Sequence, residues 1–129
     1  MHILFVDDDS LNRRVVKDML ATAGVEMAEA PEAASGLRML EERSFDLVLM
    51  DLRMPGMDGL EAIRVMRRRP GPGGATPVIL LTADTSLDLE ERSRAAGANS
   101  ILRKPVMMTA LFDAVAELIA GGSASPTLD

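Results

Sequence analysis

The chain has no cysteine, no tryptophan and no tyrosine, and only three phenylalanines and one histidine among its 129 residues. Without cysteine there is no disulfide and no thiol chemistry. With so few aromatics, the interior must be built from Leu, Val, Ile, Ala and ten Met. No apolar run approaches the roughly 18–20 residues of a membrane span, so the chain is not expected to enter a membrane by itself. The N-terminus lacks a basic region followed by a long apolar stretch, so no signal peptide is expected and a cytoplasmic location is. The net charge of −6 argues against a nucleic-acid partner. What remains is 47% apolar residues in a length that suits one domain with one core.

Short apolar runs alternate with helical patterns. Residues 2–6 read as a buried strand. Ser10 is expected to cap a helix from Leu11 to Ala23, which Gly24 ends. Residues 25–29 read as a second strand, and Pro31 suits the first turn of a helix running to about Arg43. Residues 46–50 form a third strand, whose core Leu47-Val48-Leu49-Met50 has no polar position, as expected when both faces are covered. A loop from Asp51 to Asp58 leads into a helix from Gly59 to Arg69, and Pro70 to Gly74 reads as a flexible connection. Strands at 77–82 and 100–103 flank a helix at 87–96 that Gly97 ends. A last amphipathic helix at 108–120 places Leu111, Val115, Leu118 and Ile119 on one side. The expected class is α/β: a doubly wound parallel sheet of five strands with helices on both faces. Residues 1–120 form the domain, and 121–129 are expected to be a flexible tail or truncated linker.

Charge follows the apolar runs in a consistent way. Asp7-Asp8 follow the first strand, Asp51 the third, and Lys104-Pro105 the fifth. Strand ends of one polarity share one edge of an open parallel sheet, and ligands bind at that edge. Two carboxylates about 4 Å apart repel by ~4 kcal/mol at an effective dielectric near 20. Clustering Asp7, Asp8 and Asp51 therefore calls for a cation, and hard oxygens without His or Cys favour Mg²⁺, with Mn²⁺ as a substitute. The same aspartates also suit a plain cap at the positive end of the first helix. Asp51 can act as a nucleophile towards phosphorus. The Thr82 hydroxyl suits a hydrogen bond to a phosphoryl oxygen, with Ala83 leaving room beside it. Lys104 suits neutralising phosphoryl charge, and Pro105 makes a rigid turn open to a cis bond. Arg67-Arg68-Arg69 ends a helix, where cations complement the dipole. Met107 and Met108, at the start of the last helix, are expected to fill the core, with a partner surface as the other role open to Met.

Taken together, Val6-Asp7-Asp8-Asp9, Leu49-Met50-Asp51-Leu52-Arg53-Met54-Pro55-Gly56-Met57-Asp58-Gly59, Leu81-Thr82-Ala83 and Lys104-Pro105 carry a resemblance. From Ile3 to about Ala120 the chain resembles the receiver domain of two-component response regulators. Leu11-Asn12-Arg13-Arg14 and Lys104-Pro105-Val106 look most like receivers of hybrid-kinase phosphorelays. The resemblance implies a flavodoxin-like sheet of order 2-1-3-4-5. It implies that Asp51 accepts a phosphoryl group from a phosphohistidine on a histidine kinase or histidine phosphotransfer protein, and that the domain catalyses its own dephosphorylation. Asp8, Asp51 and the Arg53 backbone carbonyl would bind Mg²⁺ directly, Asp7 would act through a metal-bound water, and Thr82 and Lys104 would hold phosphoryl oxygens. It also implies weak pairing through the face of the fourth helix, fifth strand and fifth helix. His2 is not expected to be the donor, since it starts a strand.

Three positions are distinctive. Many receivers carry Tyr or Phe where this chain has Ile101, so the threonine–aromatic switch is expected to be absent or altered. Arg53 and Asp84 lie two residues after Asp51 and Thr82, where the family tunes acyl-phosphate lifetime, and an ion pair between them would cover the site. A pseudo-receiver that binds partners without phosphorylation is the rival binding-module reading. A phosphatase-like hydrolase would need a cap insertion, and no segment is long enough for one.

Overall fold

The computed structural model describes residues 1–121. Its elements are β1 (His2–Val6), α1 (Ser10–Ala21), β2 (Glu26–Ala30), α2 (Ala33–Glu42), β3 (Leu47–Asp51), α3 (Gly59–Arg68), a 3-10 turn (Pro72–Ala75), β4 (Val78–Thr82), α4 (Leu89–Ala96), β5 (Ser100–Arg103) and α5 (Met108–Gly121). The strands form one parallel sheet in the order β2-β1-β3-β4-β5. This is the expected topology. The tail expected after the last helix lies outside the described residues.

Alternation along the strands divides the interior in two, because successive side chains point to opposite faces. Leu4, Val6, Val48, Met50, Val78 and Leu80 pack with α2, α3 and α4 on one face. Ile3, Phe5, Leu47, Leu49, Ile79 and Leu81 pack with Val16 and Leu20 of α1 and Leu111 and Val115 of α5 on the other. Every residue of β3 and β4 is buried, which is why those runs contain no alternating polar positions. Each fully buried Leu or Ile there stabilises the fold by about 1.5–3 kcal/mol relative to exposure, and Leu49→Ala would lose about 2–5 kcal/mol.

Helix boundaries moved where capping chemistry differed from the pattern. Asp9, not Ser10, caps α1: its Oδ1 accepts the Leu11 N–H at 2.9 Å. Pro31 lies before α2 rather than in its first turn, and Glu32 offers no side-chain cap. The Pro70–Gly74 connection runs into the 3-10 turn and is tied down by Arg67. Met107 and Met108 are exposed rather than in the core, and Ile119 is 40% exposed while Leu111 is fully buried. The outward face of α5 thus begins nearer its apolar stripe than the sequence pattern indicates.

Gly59 and Gly97 are set by tertiary approach. A Cβ on Gly59 would sit 2.3 Å from the Asp51 carbonyl oxygen, so only glycine lets α3 start against the end of β3. Gly97 has φ +112° and ends α4 in the left-handed region, and a Cβ there would meet the Arg67 side chain at 2.7 Å.

Candidate functional site

The parallel order brings the C-terminal ends of β1, β3, β4 and β5 to one edge. Asp7 and Asp8 leave β1, Asp51 closes β3, Thr82 closes β4 and Lys104 follows β5. One carboxylate oxygen from each of Asp7, Asp8 and Asp51 lies within 4.8 Å of the others. Asp7 and Asp51 are buried and Asp8 is exposed, so the cluster opens to solvent on the Asp8 side. Lys104 Nζ is 2.5 Å from Asp51 Oδ1 and 3.6 Å from Asp7 Oδ2. The Lys104-Pro105 peptide bond is cis.

Several groups hold these side chains. Asp7 Oδ1 accepts the Asp9 N–H at 2.9 Å, and its Oδ2 accepts from Asn12 Nδ2 at 3.3 Å. Arg13 donates to the Asp7 carbonyl at 2.6 Å and pairs with Glu29 of β2 at 2.9 Å. The first turns of α1 therefore orient Asp7 from behind, as well as presenting their positive end. Nothing in the sequence shows that residue 12 turns back to residue 7.

Electrostatics make the cluster poised for a cation. Burial pushes the Asp51 carboxyl up to about 6. The Lys104 hydrogen bond pulls it down, and the charges of Asp7 and Asp8 push it further up. Burial works against the Lys104 ammonium, yet its hydrogen bond and charge pairing with Asp51 and Asp7 raise it above the ordinary lysine value. Burial and the like-sign carboxylates account for the rise at Asp51, and pairing with opposite charge accounts for the rise at Lys104.

Thr82 is buried, and its Oγ1 accepts the Asp84 N–H at 2.8 Å. Ala83 follows it and is exposed at the rim. Arg53 and Asp84 pair at 3.0 Å, with Arg53 largely exposed. Ser86 hydrogen bonds, with Arg53, hold the Asp84 carboxyl below its usual range. A cleft of about 540 Å³ opens beside them, lined by Leu52, Met54, Pro55, Asp58 and Arg92 together with the pair. Ile101 is half-buried against the core on the α2–α4 face. A second cleft, of about 470 Å³ and lined by Leu40, Phe45, Met66 and Gly73, lies at the opposite edge of the sheet, away from the acidic cluster.

Arg67 has a different role from the one its position suggests. Rather than only complementing the α3 dipole, it donates to the Gly74, Thr76 and Gly97 carbonyls at 2.7–3.1 Å and to Asn99 Oδ1 at 3.0 Å. His2 starts β1, far from the cluster in the topology, with its ring 5.1 Å from that of Phe45. Among the described residues no helix is long and apolar enough to cross a membrane.

Comparison with known proteins gives a consistent answer. The response regulator receiver domain model matches residues 3–116. Sensor histidine kinase AruS of Pseudomonas aeruginosa is 36% identical over 129 residues, covering 99% of this chain and 13% of AruS. Sensory/regulatory protein RpfC of Xanthomonas campestris pv. campestris is 35% identical over 119 residues, covering 92% of this chain and 16% of RpfC. The chain thus spans less than a fifth of the length of these relatives. The crystal structure of the receiver domain of sensor histidine kinase PA1611 from P. aeruginosa, with a magnesium ion coordinated in its active site cleft, superposes with a TM-score of 0.83. It is 31% identical, over 92% of this chain and 97% of that one.

Proposed function

Because the chain belongs to the response regulator receiver domain family of two-component and phosphorelay signalling, we propose that it receives a phosphoryl group from a partner phosphohistidine onto Asp51. The observation that carries this reading is the Lys104 ammonium 2.5 Å from Asp51, beside three carboxylates that converge within 4.8 Å. The reaction forms a bond between an Asp51 carboxylate oxygen and phosphorus and breaks the phosphorus–nitrogen bond, leaving the donor histidine as imidazole. Water then attacks phosphorus, releasing inorganic phosphate and restoring the Asp51 carboxylate. The domain is a signalling acceptor that catalyses its own phosphorylation and dephosphorylation rather than an enzyme with a separate substrate.

The donor set fits a hard divalent cation, being all carboxylate with one face open to solvent. Asp8, Asp51 and the Arg53 carbonyl would hold Mg²⁺ or Mn²⁺, with Asp7 acting through water. A cation held there would supply positive charge to balance the phosphoryl oxygens. Lys104 supplies a second positive charge, and the Thr82 hydroxyl donates a hydrogen bond; the work is positioning and charge neutralisation. The Arg53–Asp84 pair and Ala83 border the path of attacking water, and Pro105 shapes the turn that carries Lys104.

The partner is a histidine kinase or histidine phosphotransfer protein, and the whole protein is either a stand-alone receiver or part of a hybrid kinase. Leu11 and Val15 on α1 are exposed, as are Met107 and Met108 at the approach to α5, and they offer apolar contact for a histidine-bearing helix. Weak pairing through α4, β5 and α5 and a cytoplasmic location complete the reading.

Intact mass tests it. Wild type and Asp51→Asn are incubated with phosphoramidate and Mg²⁺. A phosphoryl adduct on the wild type alone is expected. No adduct despite Mg²⁺ binding would overturn the acceptor role and leave a receiver that works by binding alone.

A further inference from the structure

A closed ring of hydrogen bonds ties the segment after β4 to the segment after β5. Thr82 and Arg103 face each other in the β4–β5 register. The Lys104 N–H donates to the Thr82 carbonyl at 2.9 Å. The Asp84 N–H donates to Thr82 Oγ1 at 2.8 Å. Arg103 closes the ring by donating from Nη1 to the Asp84 carbonyl at 2.6 Å.

This ring bears on the Thr82 proton. A hydroxyl has one proton to donate and two lone pairs that accept. The Asp84 N–H occupies an acceptor direction of Thr82 Oγ1, which leaves the proton available on another side. Where that acceptor direction points depends on how the backbone of residue 84 is held. Its side chain is held by Arg53 and Ser86, both exposed contacts on the outside of the loop. Its carbonyl is held by Arg103, from the strand that also delivers Lys104. An arginine fork is suited to this task, because its planar donors are fixed relative to one another.

We propose that Arg103 is a positioning residue for phosphoryl binding: its hold on the Asp84 carbonyl keeps the Asp84 N–H on Thr82 Oγ1, so the Thr82 proton stays directed at the phosphoryl oxygens on Asp51. The proposal rests on the phosphoacceptor reading of Asp51. It adds that Thr82 and Lys104 are placed as a unit, with Arg103 as the tie between their loops.

The test compares wild type, Arg103→Ala, Arg103→Lys and the surface control Arg94→Ala. Amide hydrogen exchange at Asp84 is read by NMR in the unphosphorylated protein. Phosphoryl uptake from phosphoramidate is read by intact mass at saturating Mg²⁺, and Mg²⁺ affinity by titration calorimetry. In Arg103→Ala, exchange at Asp84 should speed up about fivefold and the maximal uptake rate should fall by a similar factor, the size expected for one hydrogen bond. Mg²⁺ affinity should stay at the wild-type value, since the carboxylates do not depend on the ring. Arg103→Lys keeps one donor and should recover most of both losses, and Arg94→Ala should match wild type. Unchanged Asp84 exchange in Arg103→Ala would overturn the tie. Faster exchange with an unchanged uptake rate, or with Mg²⁺ affinity falling in parallel, would overturn the positioning role. Wild type that takes up no phosphoryl group would instead overturn the acceptor reading, and the exchange data identify that case separately.

Discussion

Lys104 Nζ lies 2.5 Å from Asp51 Oδ1, so the ammonium from the β5 end is already in contact with the carboxylate at the β3 end. This one contact bridges 53 residues of sequence and joins two charges of opposite sign. Burial nonetheless dominates at Asp51, which titrates at about 6 rather than near its ordinary 3.8.

That value sets a pH dependence for the Mg²⁺-free protein. The unfolded chain loses the Asp51 proton near 3.8 while the fold keeps it to about 6. The unfolded state therefore binds fewer protons in that window, and stability falls as pH rises through it. Above pH 6 the penalty is constant. Asp51→Asn should match wild type near pH 4 and exceed it by on the order of 1–3 kcal/mol at pH 7. Melting temperatures by calorimetry across pH 4–8 in EDTA check this, and a gap that does not widen with pH would contradict it.

Metal should reverse the same penalty. A ligand that binds only the folded state at a hundred times its Kd stabilises by about 2.7 kcal/mol. Wild type should gain melting temperature on adding Mg²⁺, whereas Asp8→Asn and Asp51→Asn should gain much less. Equal gains in all three would remove the assignment of the cation to this cluster.

The Arg53–Asp84 pair at 3.0 Å should act on access rather than on stability, because Arg53 is largely exposed. The aspartyl phosphate of an Arg53→Ala, Asp84→Ala double variant should hydrolyse faster, by up to about fivefold for a pair worth at most about 1 kcal/mol. Phosphate release after donor removal measures it. Equal lifetimes would show that the pair does not guard the water path.

Arg67 should matter to the fold and not to the chemistry. Its guanidinium is half-buried, and it bonds three carbonyls and Asn99 across the ends of α3 and α4. Removing it leaves those acceptors to water or unpaired, so Arg67→Ala should cost about 2–4 kcal/mol in urea unfolding. Phosphoryl uptake by the remaining folded protein should be unchanged. A cost under about 0.5 kcal/mol would place Arg67 among ordinary surface residues.

Ile101 should leave the α4–β5–α5 surface quiet. Its side chain is branched at Cβ and packed against the α2–α4 face of the core, which restricts its rotation. NMR shifts on that surface should change little when beryllofluoride is added as a phosphoryl analogue, and should change more in Ile101→Tyr. Large shifts in the wild type would show that the surface responds without an aromatic ring.

The sequence by itself determined the layered fold and which side chains leave the strands at one edge of the sheet. Apolar runs with no polar position dictate strands covered on both faces, and a charge or hydroxyl directly after such a run must emerge at the strand end. Parallel strands share polarity, so Asp7, Asp8, Asp51, Thr82 and Lys104 fall on one edge. Tertiary structure decided everything that depends on which loops meet. Asp9 took the α1 cap from Ser10 because its own backbone was the extended one. Arg67 found its carbonyl partners up to 30 residues away, and Arg103 found Asp84 across 19. Backbone carbonyls are the same in every residue, so no side-chain pattern announces which of them an arginine will reach. Only the packing of helices on the sheet brings those acceptors within hydrogen-bond distance, and that packing sets how tightly the legible residues are held.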